Sequence, residues 1–125
     1  MKLLRVGEFG QEKPAALGKD GKIRDLSQHV LDLNPSTLNF ETLEKLQKLD
    51  LNTLPEVSSS TRIGSCIARP GKFLAIGLNY SDHAAETNAE IPKEPILFNK
   101  ASNCIVGPND NVILPKLSKK LDWEV

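Results

Sequence analysis

Three short stretches of this chain place side chains capable of chemistry at defined spacing. In the first, Gly77-Leu78-Asn79-Tyr80-Ser81-Asp82-His83-Ala84-Ala85-Glu86, an apolar run enters a turn and then a short helix. His83 and Glu86 are three residues apart, so a helix sets them on one face. A carboxylate beside an imidazole favours its protonated form, fixes its tautomer and orients it to take a proton from water. The same spacing also suits an incidental pair on a surface helix. In the second stretch, Glu94-Pro95-Ile96-Leu97-Phe98-Asn99-Lys100, the lysine closes an apolar strand. An ammonium there, facing a pocket, stabilises a developing oxyanion or enolate, though an ordinary solvated lysine gives the same pattern. In the third, Asp122-Trp123-Glu124 puts a carboxylate on a strand between Trp123 and Val125, a hard-metal ligand by type. The period of two places the next same-face ligand beyond Val125, and one carboxylate makes a poor metal site.

The remaining candidates read as structural. Asp110, in the turn Gly107-Pro108-Asn109-Asp110-Asn111, is better suited to holding that turn than to binding a ligand. Asn103 reads as structural too, and His29 as a surface or loop residue. Cys66 and Cys104 lie 38 residues apart with no CxxC spacing, which points to two buried, reduced thiols.

Elements that could position these groups follow from the hydrophobic pattern. Leu3-Leu4-Arg5-Val6, Pro14-Ala15-Ala16-Leu17 and Ile23-Arg24-Asp25-Leu26 are short β-like runs, and Asp20-Gly21 between the last two is a hairpin signal. Residues 2–27 are therefore expected to form an antiparallel meander. Phe40, Leu43, Leu46 and Leu49 recur at helical spacing, with Asn39 as N-cap and Glu41–Lys45 and Glu44–Lys48 as favourable pairs. This stripe should pack on the meander, and residues 50–55 should close the helix, with room for one more helical turn. Residues 56–61 are small and polar and read as a linker, placing a boundary near residue 60. Beyond it come apolar strands at Ile63–Ala68, Phe73–Leu78, Ile96–Phe98 and Val112–Leu114. Leu121-Asp122-Trp123-Glu124-Val125 alternates like a strand just beginning, so the chain is expected to be the N-terminal portion of something longer.

Composition narrows the function. A length of 125 residues is one domain or somewhat more, on a scale of roughly 100–200 residues per domain. Sixteen basic against sixteen acidic residues, with 39% apolar and 26% charged, is a globular balance. Zero net charge removes the attraction that nonspecific nucleic-acid binding needs, and the pI near 6.7 offers no basic membrane-docking face. No apolar run approaches the ~20 residues of a membrane span, and the N-terminus is too soon polar for a signal peptide. The compartment reads as cytosol, with neither nucleic acid nor membrane as partner.

Taken separately the three stretches decide nothing, but their order is distinctive. Gly-Leu-Asn-Tyr-x-Asp-His-Ala-x-Glu, Lys-Glu-Pro-x-Leu-Phe-x-Lys, Gly-Pro-Asn-Asp, Ile-Leu-Pro and a closing Asp-Trp-Glu-Val together resemble the fumarylacetoacetate hydrolase family. The resemblance is nearest to bacterial members labelled 2,4-diketo-3-deoxy-L-fuconate hydrolase or ureidoglycolate lyase, and it covers nearly the whole chain. It implies an α+β protein: residues 1–60 as a small N-terminal domain of meander plus helix, and residues 61–125 as the beginning of a mixed β-roll catalytic domain. It implies that His83 and Glu86 activate water on a segment that orders over the substrate, that Lys100 lies near the substrate's charged end, and that Glu124 is the first of three metal carboxylates. The other two have no counterpart within the 125 residues. Mg²⁺ or Mn²⁺ is the implied cofactor and a 2-oxo or 2,4-dioxo acid of acylpyruvate type the implied substrate, in a homodimer. Lyases (ureidoglycolate lyase among them), decarboxylases and isomerases share this chemistry in the family. A catalytically inactive fragment or a partner-binding module is the alternative outside it.

Overall fold

In the meander each run can bury alternate side chains while its neighbours satisfy its backbone. In the computed structural model, which describes residues 1–121, β1 (Lys2–Val6), β2 (Lys13–Leu17) and β3 (Ile23–Asp25) pair antiparallel in sequence order. Between β2 and β3, the Gly18 amide donates to the Lys22 carbonyl at 2.8 Å. Gly21 takes φ +77°, a left-handed conformation that most side chains resist. Asp20 braces the turn by accepting from the Lys22 amide at 3.1 Å.

Register then divides the sheet into two apolar faces. Leu3 pairs with Ala16 and Ala16 with Arg24, while Leu4 pairs with Ala15 and Leu17 with Ile23. The first face carries Leu3 and Ala16 against Leu26, Val30, Leu33 and Leu46. The second carries Leu4, Val6, Ala15, Leu17 and Ile23, with Val57 and Ile63 packed beside them.

The stripe predicted as a helix appears as α1 (Phe40–Gln47). Asn39 caps it, its side-chain oxygen accepting from the Thr42 amide at 2.9 Å. Leu46 is 1% exposed in the core, with Leu49 partly buried behind it, but Phe40 is 89% exposed. Phe40 is the first residue of the helix, six residues before Leu46. Lys45 pairs with Glu41 at 2.7 Å, whereas Glu44 and Lys48 make no pair, because Lys48 is the residue that ends the helix. The further turn is a short 3-10 helix, Leu51–Thr53, capped by Asp50.

Two expectations need correction here. The stretch read as a linker begins with a strand, β4 (Glu56–Val57), which pairs with β3 and completes a four-stranded sheet in the order β1-β2-β3-β4. Glu56 is held there by Lys22 at 2.7 Å and by Arg24 at 3.4 Å. The strand expected over 63–68 is reduced to one bridge, Val6 with Ile63. The segment lies along β1 through Gly7 N–H to Arg62 C=O (2.9 Å) and Gly64 N–H to Arg5 C=O (2.8 Å), then turns away, and Ala68 donates to the Leu33 carbonyl at 2.7 Å.

The second sheet is a two-stranded antiparallel ribbon, β5 (Phe73–Gly77) with β6 (Ile96–Lys100). Between them lies α2 (Ser81–Glu86), anchored by buried Ala84. A 3-10 turn, Ser102–Cys104, follows β6. Val112–Leu114, expected as a strand, finds no partner among the described residues and stays exposed. The described chain is thus α+β, with antiparallel sheets and two α-helices. Among the described residues, no helix is long and apolar enough to cross a membrane.

Candidate functional site

His83 and Glu86 share α2, as their spacing predicts, and both are exposed. Among the described residues no hydrogen bond joins their side chains, so the imidazole is not oriented by the carboxylate in this arrangement. Helix entry is constrained from the other side: Leu78, between β5 and α2, takes φ +48°. A leucine in that region is disfavoured by Cβ sterics and persists only where its surroundings impose it. Lys100 is half-buried at the end of β6, its ammonium 5.7 Å from the centroid of the Phe98 ring.

Register sets the relation between these groups. Gly77, which leads into α2, pairs with Ile96, while Lys100 pairs with Phe73 at the opposite end of the ribbon. Four residues of strand separate the two ends, about 13 Å at the usual rise. The ribbon therefore keeps Lys100 apart from the helix that carries His83 and Glu86. Glu124 lies outside the described residues. Among the described residues no group of three His, Cys, Asp or Glu side chains is placed to hold a metal ion.

What the strands do assemble is a chain of alternating charges. Arg5, on β1, donates from Nε to Asp32 at 2.7 Å and pairs with Glu12 at 3.4 Å. Glu12 also accepts from Arg62 at 2.9 Å, and Arg62 grips both oxygens of Asp110 at 2.8 and 2.6 Å. Asp110 in turn accepts from the Gly107 amide at 2.7 Å. This last bond confirms Asp110 as a turn-holding residue, and the turn fits only glycine at 107, because a Cβ there would collide with the Ile63 carbonyl oxygen. The Arg62 guanidinium also lies 5.4 Å from the Phe9 ring centroid.

The sequence reading passed over Arg5, Glu12, Asp32 and Arg62. A signal existed in Leu-Leu-Arg-Val: an arginine inside a run buried on both faces must bring a counter-charge with it. The cysteines also differ from expectation. Cys66 and Cys104 are free but exposed: Cys66 sits in irregular chain and Cys104 in the 3-10 turn, neither on a core-facing strand.

The ion chain predicts a pH dependence. Burial pushes the Glu12 carboxyl up, but the Arg62 hydrogen bond, backbone amides and the Arg5 charge outweigh it and hold it below its ordinary 4.5. The Arg62 hydrogen bonds, followed by the Gly107 amide, hold Asp110 below its ordinary 3.8. Folded values below unfolded ones mean that this stabilisation is complete above the unfolded carboxylate range and is lost as pH falls through the lowered folded values. The urea midpoint should therefore hold steady from about pH 7 to about pH 5 and decline below that. Arg62→Gln should make the decline shallower. An equally steep decline in that variant would remove the ion chain as its cause.

Residues 72–125 match the family model described as fumarylacetoacetate (FAA) hydrolase C-terminal. The matched segment, under half of the chain, is similar to that family. It contains β5, α2, β6 and all four residues singled out for catalysis or metal binding. The whole chain is also 55% identical over 125 residues to a protein of Burkholderia ambifaria (strain MC40-6) named "Putative hydrolase". Relatives bearing that description in Burkholderia multivorans and Burkholderia lata are 56% and 54% identical over the same length. Each alignment covers 100% of this chain and 44% of the relative, so the chain spans less than half the length of the curated relatives it matches. The family model covers under half of the chain, and the relatives' names give hydrolase without a family.

Proposed function

We propose that these residues are the first part of a cytosolic, divalent-metal-dependent hydrolase that cleaves a C–C bond in a 2,4-dioxo acid of acylpyruvate type and acts as a homodimer. The observation that carries this reading is the family match over residues 72–125, which falls on the segment holding His83, Glu86, Lys100 and Glu124. The hydrolase name of the Burkholderia relatives supports the reaction class, and the antiparallel β5–β6 ribbon is compatible with the opening of a larger β-roll.

In this proposal His83 is the general base and Glu86 orients it. Exposure of α2 suits a segment that must fold down over a substrate before its imidazole comes within hydrogen-bond reach of the attacking water. Lys100, at the far end of the ribbon, meets the negative end of an extended dioxo acid, stabilising charge there. Glu124 supplies one carboxylate for Mg²⁺ or Mn²⁺, and the remaining ligands are expected from polypeptide of the relatives' full length. A bound divalent cation would supply Lewis-acid stabilisation of an enolate.

The test is cleavage of an acylpyruvate by a chain of the relatives' full length, followed by loss of its ultraviolet absorbance. Turnover should require Mg²⁺ or Mn²⁺, vanish on chelation and return when either ion is restored. The 125-residue chain alone should show none, because one carboxylate does not fix an ion's geometry. Turnover that survives complete chelation would overturn the metal-dependent reading.

A further inference from the structure

Beside the ion chain opens a cleft of about 930 Å³, a size that suits a small molecule. Arg5, Glu12, Arg62, Arg69, Ser102 and Asn103 are among the residues that line it. His83, Glu86 and Lys100 are not among its lining residues, so the cleft is separate from the proposed catalytic machinery. Its cations are unequal. Arg5 and Arg62 are neutralised by Asp32, Glu12 and Asp110. Arg69 has no ion pair or side-chain hydrogen bond among the described residues.

The backbone at Arg69 is also unusual. It takes φ +48°, although its side chain carries a Cβ and it precedes Pro70, a position that favours extended backbone. Its neighbour Ala68 is buried and tied to the Leu33 carbonyl, which helps hold the segment in place. Residues held in disfavoured backbone conformations cluster at active sites, ligand clamps and switch regions. Ser102 and Asn103 add a hydroxyl and an amide that make no side-chain hydrogen bond to the described protein.

We propose that this cleft binds a small oxyanion, a dicarboxylate or a phosphate group, with Arg69 as its charged anchor and Ser102 and Asn103 as neutral donors. An arginine fork matches either anion through paired N–H donors, and the neutral donors add hydrogen bonds without adding charge.

The 125-residue chain, titrated with inorganic phosphate and separately with succinate at constant ionic strength, tests this by amide NMR. Saturable shifts should appear at Arg69, Ser102 and Asn103. Saturation by phosphate alone assigns a phosphate ligand, by succinate alone a dicarboxylate, and by both the shared oxyanion chemistry. Arg69→Gln should weaken binding at least tenfold. Arg69→Gly should keep the fold, because glycine adopts this φ freely, and should lose the binding as well, separating loss of the anchor from loss of structure. Shifts that never saturate, or saturation unchanged in both variants, would overturn the proposal. Neither result depends on whether the longer protein cleaves acylpyruvates.

Discussion

His83→Ala, introduced into a chain of the relatives' full length, is expected to lower turnover ~10²–10⁴-fold, the usual contribution of a positioned general base. Affinity for Mg²⁺ should be unchanged, because the proposed metal carboxylate belongs to a different part of the chain. The two readouts are independent: kcat from acylpyruvate cleavage, and metal affinity from calorimetry on the same variant. A purely structural role would behave differently. α2 is held by buried Ala84, and His83 is exposed, so replacing its side chain removes no packing. Unchanged kcat would dismiss His83 as the base, and equal losses of turnover and metal affinity would point to disruption of the segment instead. Glu86→Gln should give a smaller loss with the same pattern, since an orienting group acts through the base.

The meander, α1 with its Asn39 cap, the separate strands β5 and β6 and α2 were all legible in the sequence, because each rests on a local rule, whereas the pairing of β5 with β6 was not. Alternating apolar residues, an Asp-Gly turn and an i,i+3/i+4 stripe need no knowledge of the rest of the chain. What local rules missed was decided by partners distant in sequence. Val112–Leu114 has strand composition, but a strand needs a neighbour, and none is present among the described residues. Glu56–Val57 has linker composition but finds the free edge of β3, more than thirty residues earlier. The ion chain was invisible for the same reason, as Arg62 and Asp110 are 48 residues apart. At the candidate site the spacing placed His83 and Glu86 on one helix, whereas their separation from Lys100 required the register of the ribbon.

The phase of α1 gives the sharpest stability prediction. Leu46→Ala is expected to destabilise the fold by about 3 kcal/mol, within the range for deleting a buried leucine. Phe40→Ala should change stability by less than about 0.5 kcal/mol, the scale of surface substitutions. Both belong to the same apolar stripe, and by side-chain size alone Phe40 should matter more. Burial reverses that order, since Leu46 is 1% exposed and Phe40 89%. Leu46 lies in one cluster with Ala16, Leu26, Val30 and Leu33, so its removal opens a cavity beneath the first sheet. An eight-residue helix is too short to persist in water on its own hydrogen bonds, and Leu46 is its only buried residue. Its loss should therefore also free α1 locally, reducing the helical circular-dichroism signal before global unfolding. Urea midpoints for the two variants at equal m-value settle the comparison. Equal destabilisation by both would mean that Phe40 is covered in solution and that the helix sits on the sheet in a different rotation.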